Sequence, residues 1–509
     1  MSGINRRDAM KRIGGMAGAA AMATILPGCG DNLKAEPDQS SGEPAIPAIN
    51  TFVYMMLENR SYDHFLGARK LVEGNMLGDG LQSTFVNDDL NGVPISPFEP
   101  TLDQLCVVDP PHGWTELHNS WNNGACDGFV KQYQTSDMTT STNVMQYLTR
   151  KELPITYALA DAYTTCDRWF CSVMGPTLPN RAYWHTASSF GIGQDEDANT
   201  EILNAFANVP VPTIYNRLVD KNVSWAYYYG SLAVVALFGN AGPYQLSLGP
   251  DDGTGNIRRF GDYQGRSGQF FTDAKNGTLP NVVYIDPYFY LDDDHPPIHP
   301  INGQQLIASV YTALANSPQW KNCMLVVTYD ENGGFFDHVS PPTTTDDTLQ
   351  KFGQAGFEQC GFRVPTMVIG PYVKKGYVSH VQYDHTSALK HLENHYNLES
   401  LNVRMSAAND LSDCIDQDAL DAGNWSEPIT LPMIDLADFP QDPVACSTTE
   451  SLIAEVGGKD PISEYADSHP GAFVPGKTDL RDGAAEHMRG IREYLRENLG
   501  KVAELNRKG

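Results

Sequence analysis

The sequence contains few positively charged residues, and this limits the classes of molecule that the protein is expected to bind. Lysine and arginine together number 35 of the 509 residues, against 62 aspartates and glutamates, so the formal net charge is -27. A surface with this balance repels a polyanion over most of its area. We therefore expect no nucleic acid among the partners of this protein.

Long apolar runs are also missing. No stretch reaches the roughly 18 consecutive apolar residues of a membrane-spanning helix, which excludes a multi-spanning membrane protein. Hydrophobic residues nevertheless make up 41% of the chain and aromatic residues 10%, with 45 glycines and 33 prolines spread along it. This composition is typical of a globular protein with a large core, so wholesale disorder is excluded as well.

Cysteines are few, and their spacing does not indicate a zinc site. The chain has nine of them and no Cys-x-x-Cys pair. If Cys29 is modified, as argued next, an even eight remain. Disulfides are then possible outside the cytoplasm, although the sequence does not say which cysteines pair.

Segment 1–28 is predicted to be a targeting signal. Arg6 and Arg7 precede a weakly apolar run over residues 13–27, an arrangement that resembles a twin-arginine signal peptide. At about 15 residues the run is too short to cross about 30 Å of hydrocarbon as a helix. It ends in the letters LPGC, which resemble a bacterial lipobox, in which Cys29 is acylated and becomes the mature N-terminus.

These signals predict export by the twin-arginine route and a location in the periplasm or cell envelope, or secretion. The lipobox predicts a lipoprotein held at the membrane through Cys29, and segment 29–48, rich in Asp, Pro, Ser and Gly, predicts a flexible tether. Two alternatives stay open: a chance pair of arginines near the start, and a soluble exported protein in which Cys29 is a free or disulfide-bonded cysteine.

Strand and helix patterns alternate along the body of the chain. Residues 51–57 form a β-branched and apolar run, typical of a buried parallel strand. The strand pattern recurs at 281–286, 323–329 and 364–369, and helical spacing appears at 304–314 and 387–396. This alternation predicts an α/β fold with a mostly parallel central sheet sandwiched by helices.

The same reading divides the chain into regions. We expect one catalytic domain over residues 49–400. Residues 401–509 are expected to form a loop-rich extension that ends in an amphipathic helix near 480–508 and packs on the main domain.

Polar side chains follow two of the predicted strands directly. Glu58 and Asn59 come after the first, and Asp330 and Glu331 after the third. In sheets of this kind, reactive groups lie outside the carboxyl ends of the strands. Carboxylate and amide oxygens favour Mg, Ca, Mn or iron over zinc, so the two tips can converge on a hard cation. Taken alone, each cluster is more typical of a strand-end turn with solvated charges.

Three further residues are candidates for chemistry. Thr177, in the segment GPTLPNR, lies ahead of a helix predicted to begin near Pro179, and a helix N-terminus favours anions such as a phosphoryl group. Its alternative role is a helix cap. His112 in PHGW and His295 in DDDHPP are candidate proton donors, although a lone histidine is commonly structural.

The joint occurrence of these segments carries more information than any one of them. In order and spacing, ENRSYDHFLG, HGW, GPTLPNR, DDDHPP, YDENGGFFDHVSPP and DHTSALKHLE resemble the bacterial phosphoesterase family that contains phospholipases C and acid phosphatases, a branch of the alkaline phosphatase superfamily. The resemblance runs from about Thr51 to Asn397. It implies an alkaline-phosphatase-like fold and a phosphoric ester hydrolase.

The resemblance also implies residue roles. It implies a metal site built from Glu58, Asn59, Thr177, Asp330 and Glu331. Thr177 is the implied nucleophile, and His112 and His295 match the histidines that contact the phosphoryl oxygens or the leaving group, with Asn59 as a further substrate contact. Because Glu331 stands where many relatives with two metals have histidine, we expect one divalent cation, Ca, Mg, Mn or Fe. The alternative is a second ion at Asp337 and His338.

The function that follows is a phospholipase C that hydrolyses the phosphodiester of phosphatidylcholine-like lipids through a phospho-threonine. The main alternative is a broad-specificity acid phosphatase. A non-catalytic lipoprotein that binds phosphate or a cation, and sulfatase-like chemistry, are weaker alternatives. The aromatic run 288–290 ahead of the acidic run 292–294 would suit a quaternary ammonium group, or else packs in the core. The sequence leaves the oligomeric state open.

Overall fold

The computed structural model describes residues 49–194, 211–231, 233–235, 255–260, 269–434 and 484–499. The paired arginines, the lipobox and the tether 29–48 lie outside these ranges. Within them, no helix combines the length and the apolar character needed to cross a bilayer.

The described strands build one large sheet and one small one. The strands are β1 (Thr51–Leu57), β2 (Asn87–Asp88), β3 (Pro94–Ile95), β4 (Thr164–Cys166), β5 (Trp225–Tyr229), β6 (Ile257–Arg259), β7 (Val282–Asp286), β8 (Cys323–Tyr329), β9 (Met367–Ile369) and β10 (Tyr377–Ser379). Eight of them form a sheet in the order β10-β4-β9-β8-β1-β7-β5-β6, and β2 pairs with β3. Only β9 runs antiparallel to its neighbours in the large sheet. The predicted mostly parallel α/β sheet is confirmed.

β1 lies at the centre of this sheet, between β8 and β7, and every residue of β1 and β8 is buried. A strand covered on both faces reads as a continuous apolar run, and the predicted bounds of β1 and β8 are accordingly correct. The run 364–369 forms a strand only from Met367 onward. Pro365 has no N–H to donate to a ladder, so the pairing starts after it.

Helices flank the sheet. The α-helices among the described residues are α1 (Tyr62–Leu66), α2 (Ala68–Leu71), α3 (Trp114–Trp121), α4 (Phe129–Gln134), α5 (Pro154–Ala162), α6 (Thr177–Thr186), α7 (Ile214–Asp220), α8 (Gln269–Asn276), α9 (Ile301–Ala315), α10 (Thr348–Phe352), α11 (His385–Tyr396), α12 (Val403–Ala407), α13 (Gln417–Asp421) and α14 (Ala484–Asn498). α6 begins two residues before the predicted start near Pro179, because proline is tolerated in the first turn of a helix. Thr177 is therefore the first helical residue.

The described parts of the predicted extension join the main core. Leu411, Leu431, Ile491 and Leu495 are buried in the same apolar cluster as the central strands. The boundaries of the predicted regions stay predictions.

The described cysteines are mostly unpaired. Six of them are buried free thiols: Cys126, Cys166, Cys171, Cys323, Cys360 and Cys414. Cys106 is disulfide-bonded. The disulfides that an even cysteine count makes possible are thus absent at these six described positions.

Candidate active site

β1 and β8 end side by side, and their polar tips meet. The N–H of Asp330 donates to the carbonyl oxygen of Leu57 at 3.0 Å, and the N–H of Asn59 donates to Asp330 Oδ1 at 3.2 Å. Glu58 and Glu331 are the neighbouring residues on the two chains. The parallel register of the strands thus brings together all four residues that the sequence places at strand tips.

The turn after β8 requires glycine. Gly333 has a φ of 60°, and a Cβ there would lie 2.5 Å from the carbonyl oxygen of Asn59. Asn59 itself has a φ of 58°, in the left-handed region that non-glycine residues seldom adopt. The YDENGG segment can therefore pass close to the β1 tip only without a side chain at position 333.

The strand-tip acids are enclosed. Glu58 is 3% exposed, and Asp330 and Glu331 are fully buried. Burial, with repulsion from nearby acids, raises the pKa of Glu331 to about 8 and that of Asp330 well above its usual value. A divalent cation would lower both pKa values, because it stabilises the charged forms.

The amide of Asn59 tests whether a cation fits these acids. One end of the amide lies 3.3 Å from Asp330 Oδ1 and 3.0 Å from Glu331 Oε1, and the other lies 2.9 Å from His295 Nε2 and 3.4 Å from His112 Nε2. Two orientations of the amide satisfy these neighbours in different ways: with its nitrogen toward the acids it donates to both carboxylates, and with its oxygen toward them it can join them as a metal ligand. A hard cation bound to Asp330 and Glu331 would favour the second orientation, which adds the amide oxygen to the carboxylate oxygens, so the residues present fit a hard cation.

The two candidate histidines lie on either side of Asn59. Their ring centroids are 6.1 Å apart. In each ring Nδ1 donates to a backbone carbonyl, Pro110 O at 2.6 Å for His112 and Pro296 O at 2.5 Å for His295. In the neutral rings Nε2 therefore carries the lone pair, which accepts from the Asn59 amide when its oxygen faces the acids.

Thr177 reaches the same cluster from the N-terminus of α6. Its Oγ1 donates to Glu58 Oε2 at 3.2 Å, and the residue is half-buried. Asn180 holds the preceding loop, because its side-chain nitrogen donates to the carbonyl oxygens of Val173, Gly175 and Pro176 at 3.2, 2.8 and 3.1 Å. A hydroxyl is thus fixed beside the acids, at a helix end that favours anions.

Arg181 is a central residue that the sequence reasoning missed. Its guanidinium is fully buried and contacts Glu58, Asp330 and Asp286, with Nε 2.9 Å from Glu58 Oε1, Nε 3.3 Å from Asp330 Oδ2 and one terminal nitrogen 3.0 Å from Asp286 Oδ1. Asp286 ends β7, so three strand tips meet one arginine. The available signal was an acid at a third strand tip and an arginine one turn after Thr177.

Asp337 and His338, the alternative site for a second ion, form ion pairs and hydrogen bonds with other side chains. Arg363 donates to Asp337 Oδ1 at 2.9 Å and to Asp63 Oδ1 at 3.1 Å, and the N–H and Nδ1 of His338 lie 2.8 and 2.6 Å from Asp63 Oδ2. These ligand-type atoms lie close together. Their lone pairs already bind an arginine and a histidine, so the donor set suits an ion-pair network.

The acidic run 292–294 does not form an exposed cation site. All three aspartates are buried, and the N–H groups of Tyr288 and Tyr290 donate to Asp292 and Asp293 at 2.7 and 2.6 Å. Burial raises the pKa of Asp294 to about 7. Backbone donors thus occupy carboxylate oxygens that would have to face a quaternary ammonium group. Of the aromatic run, Tyr288 and Phe289 are buried, as the packing alternative predicts, and Tyr290 is half-exposed.

The chain is similar in sequence to a known protein family and to several known proteins. The profile of the Phosphoesterase family matches residues 49–399. The chain is 34% identical to phospholipase C B of Mycobacterium tuberculosis over 383 residues, which cover 67% of this chain and 72% of that protein. It is 31% identical to non-hemolytic phospholipase C of Burkholderia pseudomallei, over 84% of this chain and 66% of that one, and 31% identical to non-specific phospholipase C5 of Arabidopsis thaliana, over 69% and 70%.

Among solved structures, a Vibrio parahaemolyticus protein of the alkaline phosphatase superfamily aligns over 51% of this chain and 64% of its own, with 10% identity and a TM-score of 0.32. The family match covers more than half of the chain and contains all the strand tips described above. The chain belongs to the Phosphoesterase family and is a phosphoric ester hydrolase.

Proposed function

We propose that this hydrolase is a metal-dependent phospholipase C that cleaves the phosphodiester of phosphatidylcholine-like lipids through a phospho-threonine on Thr177. The observation that carries the proposal is the contact of Thr177 Oγ1 with Glu58 Oε2, at the N-terminus of α6 and beside a buried oxygen cluster. The names of the relatives support the phospholipase assignment.

The proposed metal ligands are Glu58, Asn59, Thr177, Asp330 and Glu331. When bound, a divalent cation would lower the pKa of the threonine hydroxyl and offset charge on the phosphorus oxygens. Arg181 keeps Glu58 and Asp330 in place and adds a positive charge behind them. The cluster of buried carboxylates is then balanced by cations on both sides.

In the proposed reaction, Thr177 attacks phosphorus and one of the two histidines transfers protons. Glu58 Oε2, which accepts the hydrogen bond of the Thr177 hydroxyl, takes its proton while Thr177 Oγ1 forms a bond to phosphorus and the bond from phosphorus to the diacylglycerol oxygen breaks. His295 Nε2 or His112 Nε2, when protonated, delivers a proton to the departing alkoxide. The same nitrogen then takes a proton from the water that hydrolyses the phospho-threonine, and Glu58 returns its proton to the departing Thr177 oxygen, which restores Thr177 and releases the phosphorylated head group.

A head group with a positive charge suits the mouth of the site. The Asp109 carboxylate is partly exposed and lies 3.5 Å from His112 Nδ1, and the Tyr290 ring lies 5.4 Å from the His295 ring. A carboxylate and an aromatic face both attract a quaternary ammonium group. We propose these two side chains, in place of the buried acidic run, as the head-group contacts.

Head-to-head hydrolysis tests the substrate class. We expect turnover of p-nitrophenyl phosphorylcholine to exceed that of p-nitrophenyl phosphate and of p-nitrophenyl methyl phosphate, a diester without a quaternary ammonium group, measured as kcat/KM by release of nitrophenol. Preference for the monoester would instead support the acid phosphatase alternative. Equal rates on the two diesters would overturn the head-group assignment and leave the diesterase intact.

We also propose export by the twin-arginine route and anchoring through Cys29. Arg6→Lys together with Arg7→Lys should leave precursor in the cytoplasm. Cys29→Ser should leave export intact but move the protein from the membrane to the soluble fraction, because one acyl chain binds marginally and lipoprotein processing supplies several. Cell fractionation with immunoblotting measures both, and an unchanged membrane fraction for Cys29→Ser would show that the anchor lies elsewhere.

A further inference from the structure

The loop that carries His295, residues 287–297, is tied to the C-terminal helix. His487 Nε2 on α14 donates to Asp292 Oδ2 at 2.7 Å, and the two side chains are 4% and 0% exposed. The other oxygen of Asp292 accepts from the N–H of Tyr288 at 2.7 Å. One buried carboxylate therefore joins the start of this loop to a helix that lies outside the family match over 49–399.

The residues that directly follow Asp292 in this loop contact the active site. The carbonyl oxygen of Asp293 accepts from the N–H of Glu58 at 2.8 Å, and Asp293 Oδ1 accepts from the N–H of His295 at 3.1 Å. A shift of this loop would therefore move His295.

The helix that carries His487, α14, packs against the main core. Ile491 and Leu495 are buried in the main core, Tyr494 stacks on Phe271 with ring centroids 4.3 Å apart, and Arg492 Nε donates to Gln305 Oε1 at 2.9 Å. Near His487, Met488 packs in a small cluster with two residues of the loop, Tyr288 and Leu291. The helix is thus attached along its length, and its first turns cover the loop.

The contact between His487 and Asp292 has a physical consequence for catalysis. A buried carboxylate that loses one of its donors is costly unless it reaches water, so the loop would rearrange to hydrate Asp292. We propose that His487 is a positioning residue, which acts through Asp292 to hold loop 287–297 so that His295 Nε2 faces the departing oxygen. This inference rests on the proposed function, because it depends on His295 as the proton donor.

Leaving-group dependence tests this role. An alkoxide needs a proton when it departs, whereas nitrophenolate does not, so a defect in proton delivery shows on the first only. The two substrates are hexyl phosphorylcholine and p-nitrophenyl phosphorylcholine, with hexyl phosphate and p-nitrophenyl phosphate as the pair if the enzyme is a monoesterase. For His487→Gln we expect kcat/KM, which reports only the steps up to departure of the leaving group, to fall about tenfold or more on the hexyl ester and less than about threefold on the nitrophenyl ester.

Control variants distinguish a failure of the positioning role of His487 from a failure of the proposed function. Glu493→Gln, on the exposed side of the same helix, should behave as the parent on both esters. His295→Gln should show the same leaving-group pattern more strongly; if it does not, the role of His295 in the proposed function fails. If His295→Gln shows the pattern and His487→Gln loses both activities equally, or neither, the positioning role is overturned. Asp292→Asn leaves one acceptor oxygen for the two donors, His487 and the N–H of Tyr288, so it weakens the same contact from the other side and decides the matter if His487→Gln does not fold.

Discussion

Thr177→Ala should lower kcat by at least about a thousandfold, because it removes the only proposed atom that bonds to phosphorus. Thr177→Ser should keep measurable activity, since it retains the hydroxyl at the N-terminus of α6. Steady-state hydrolysis of p-nitrophenyl phosphorylcholine measures both variants against the parent.

Folding must be separated from chemistry in this comparison. Thr177 is half-buried, and its side chain makes one described hydrogen bond, so its loss costs little stability. The melting temperatures of both variants should stay near that of the parent. A Thr177→Ala protein with a near-normal rate would contradict the covalent mechanism and leave the metal site as the source of a water-based reaction.

Asp330→Asn should remove metal and activity together. The change takes one charge from an enclosed oxygen site, and loss of even an outer partner of a metal ligand costs about 10- to 100-fold in metal affinity, so loss of a ligand costs more. Elemental analysis of the purified protein should find the divalent cation in the parent and little in the variant. The same cation should raise the melting temperature of the parent only, because it binds the folded state.

Two matched variants sharpen this result. Glu99→Gln removes an acid from the exposed surface and should change neither metal content nor rate. Glu58→Gln should resemble Asp330→Asn and in addition weaken the contacts of Thr177 and Arg181. Full metal occupancy in both Glu58→Gln and Asp330→Asn would refute this ligand set.

The sequence predicts the residues at the strand tips well because each strand is recognised from a local pattern of apolar residues. A buried strand such as β1 reads as an apolar run, and the residues that follow must emerge at the carboxyl edge of a parallel sheet, so Glu58 and Asp330 could be placed together without coordinates. Thr177 could be placed for a similar reason, because its loop precedes a helix that has its own pattern.

Other parts of the site depend on contacts that no local pattern contains. Arg181 bridges the tips of β1, β7 and β8, which requires the strand order of the sheet. The composition of the acidic run 292–294 suits contact with a cationic group, whereas the fold buries the run and satisfies it with backbone donors and with His487. Such buried polar networks are specified by tertiary structure and not by the composition of the run.

The most direct test of the account is a search for the covalent intermediate. The enzyme is mixed with excess p-nitrophenyl phosphorylcholine, quenched in acid within the first turnovers, digested and examined by mass spectrometry. We predict a phosphorylcholine adduct on Thr177, in the peptide that contains GPTLPNR, and no adduct in Thr177→Ala. Unmodified Thr177 during steady turnover, or an adduct on another residue such as His295, would contradict the proposal that Thr177 is the nucleophile.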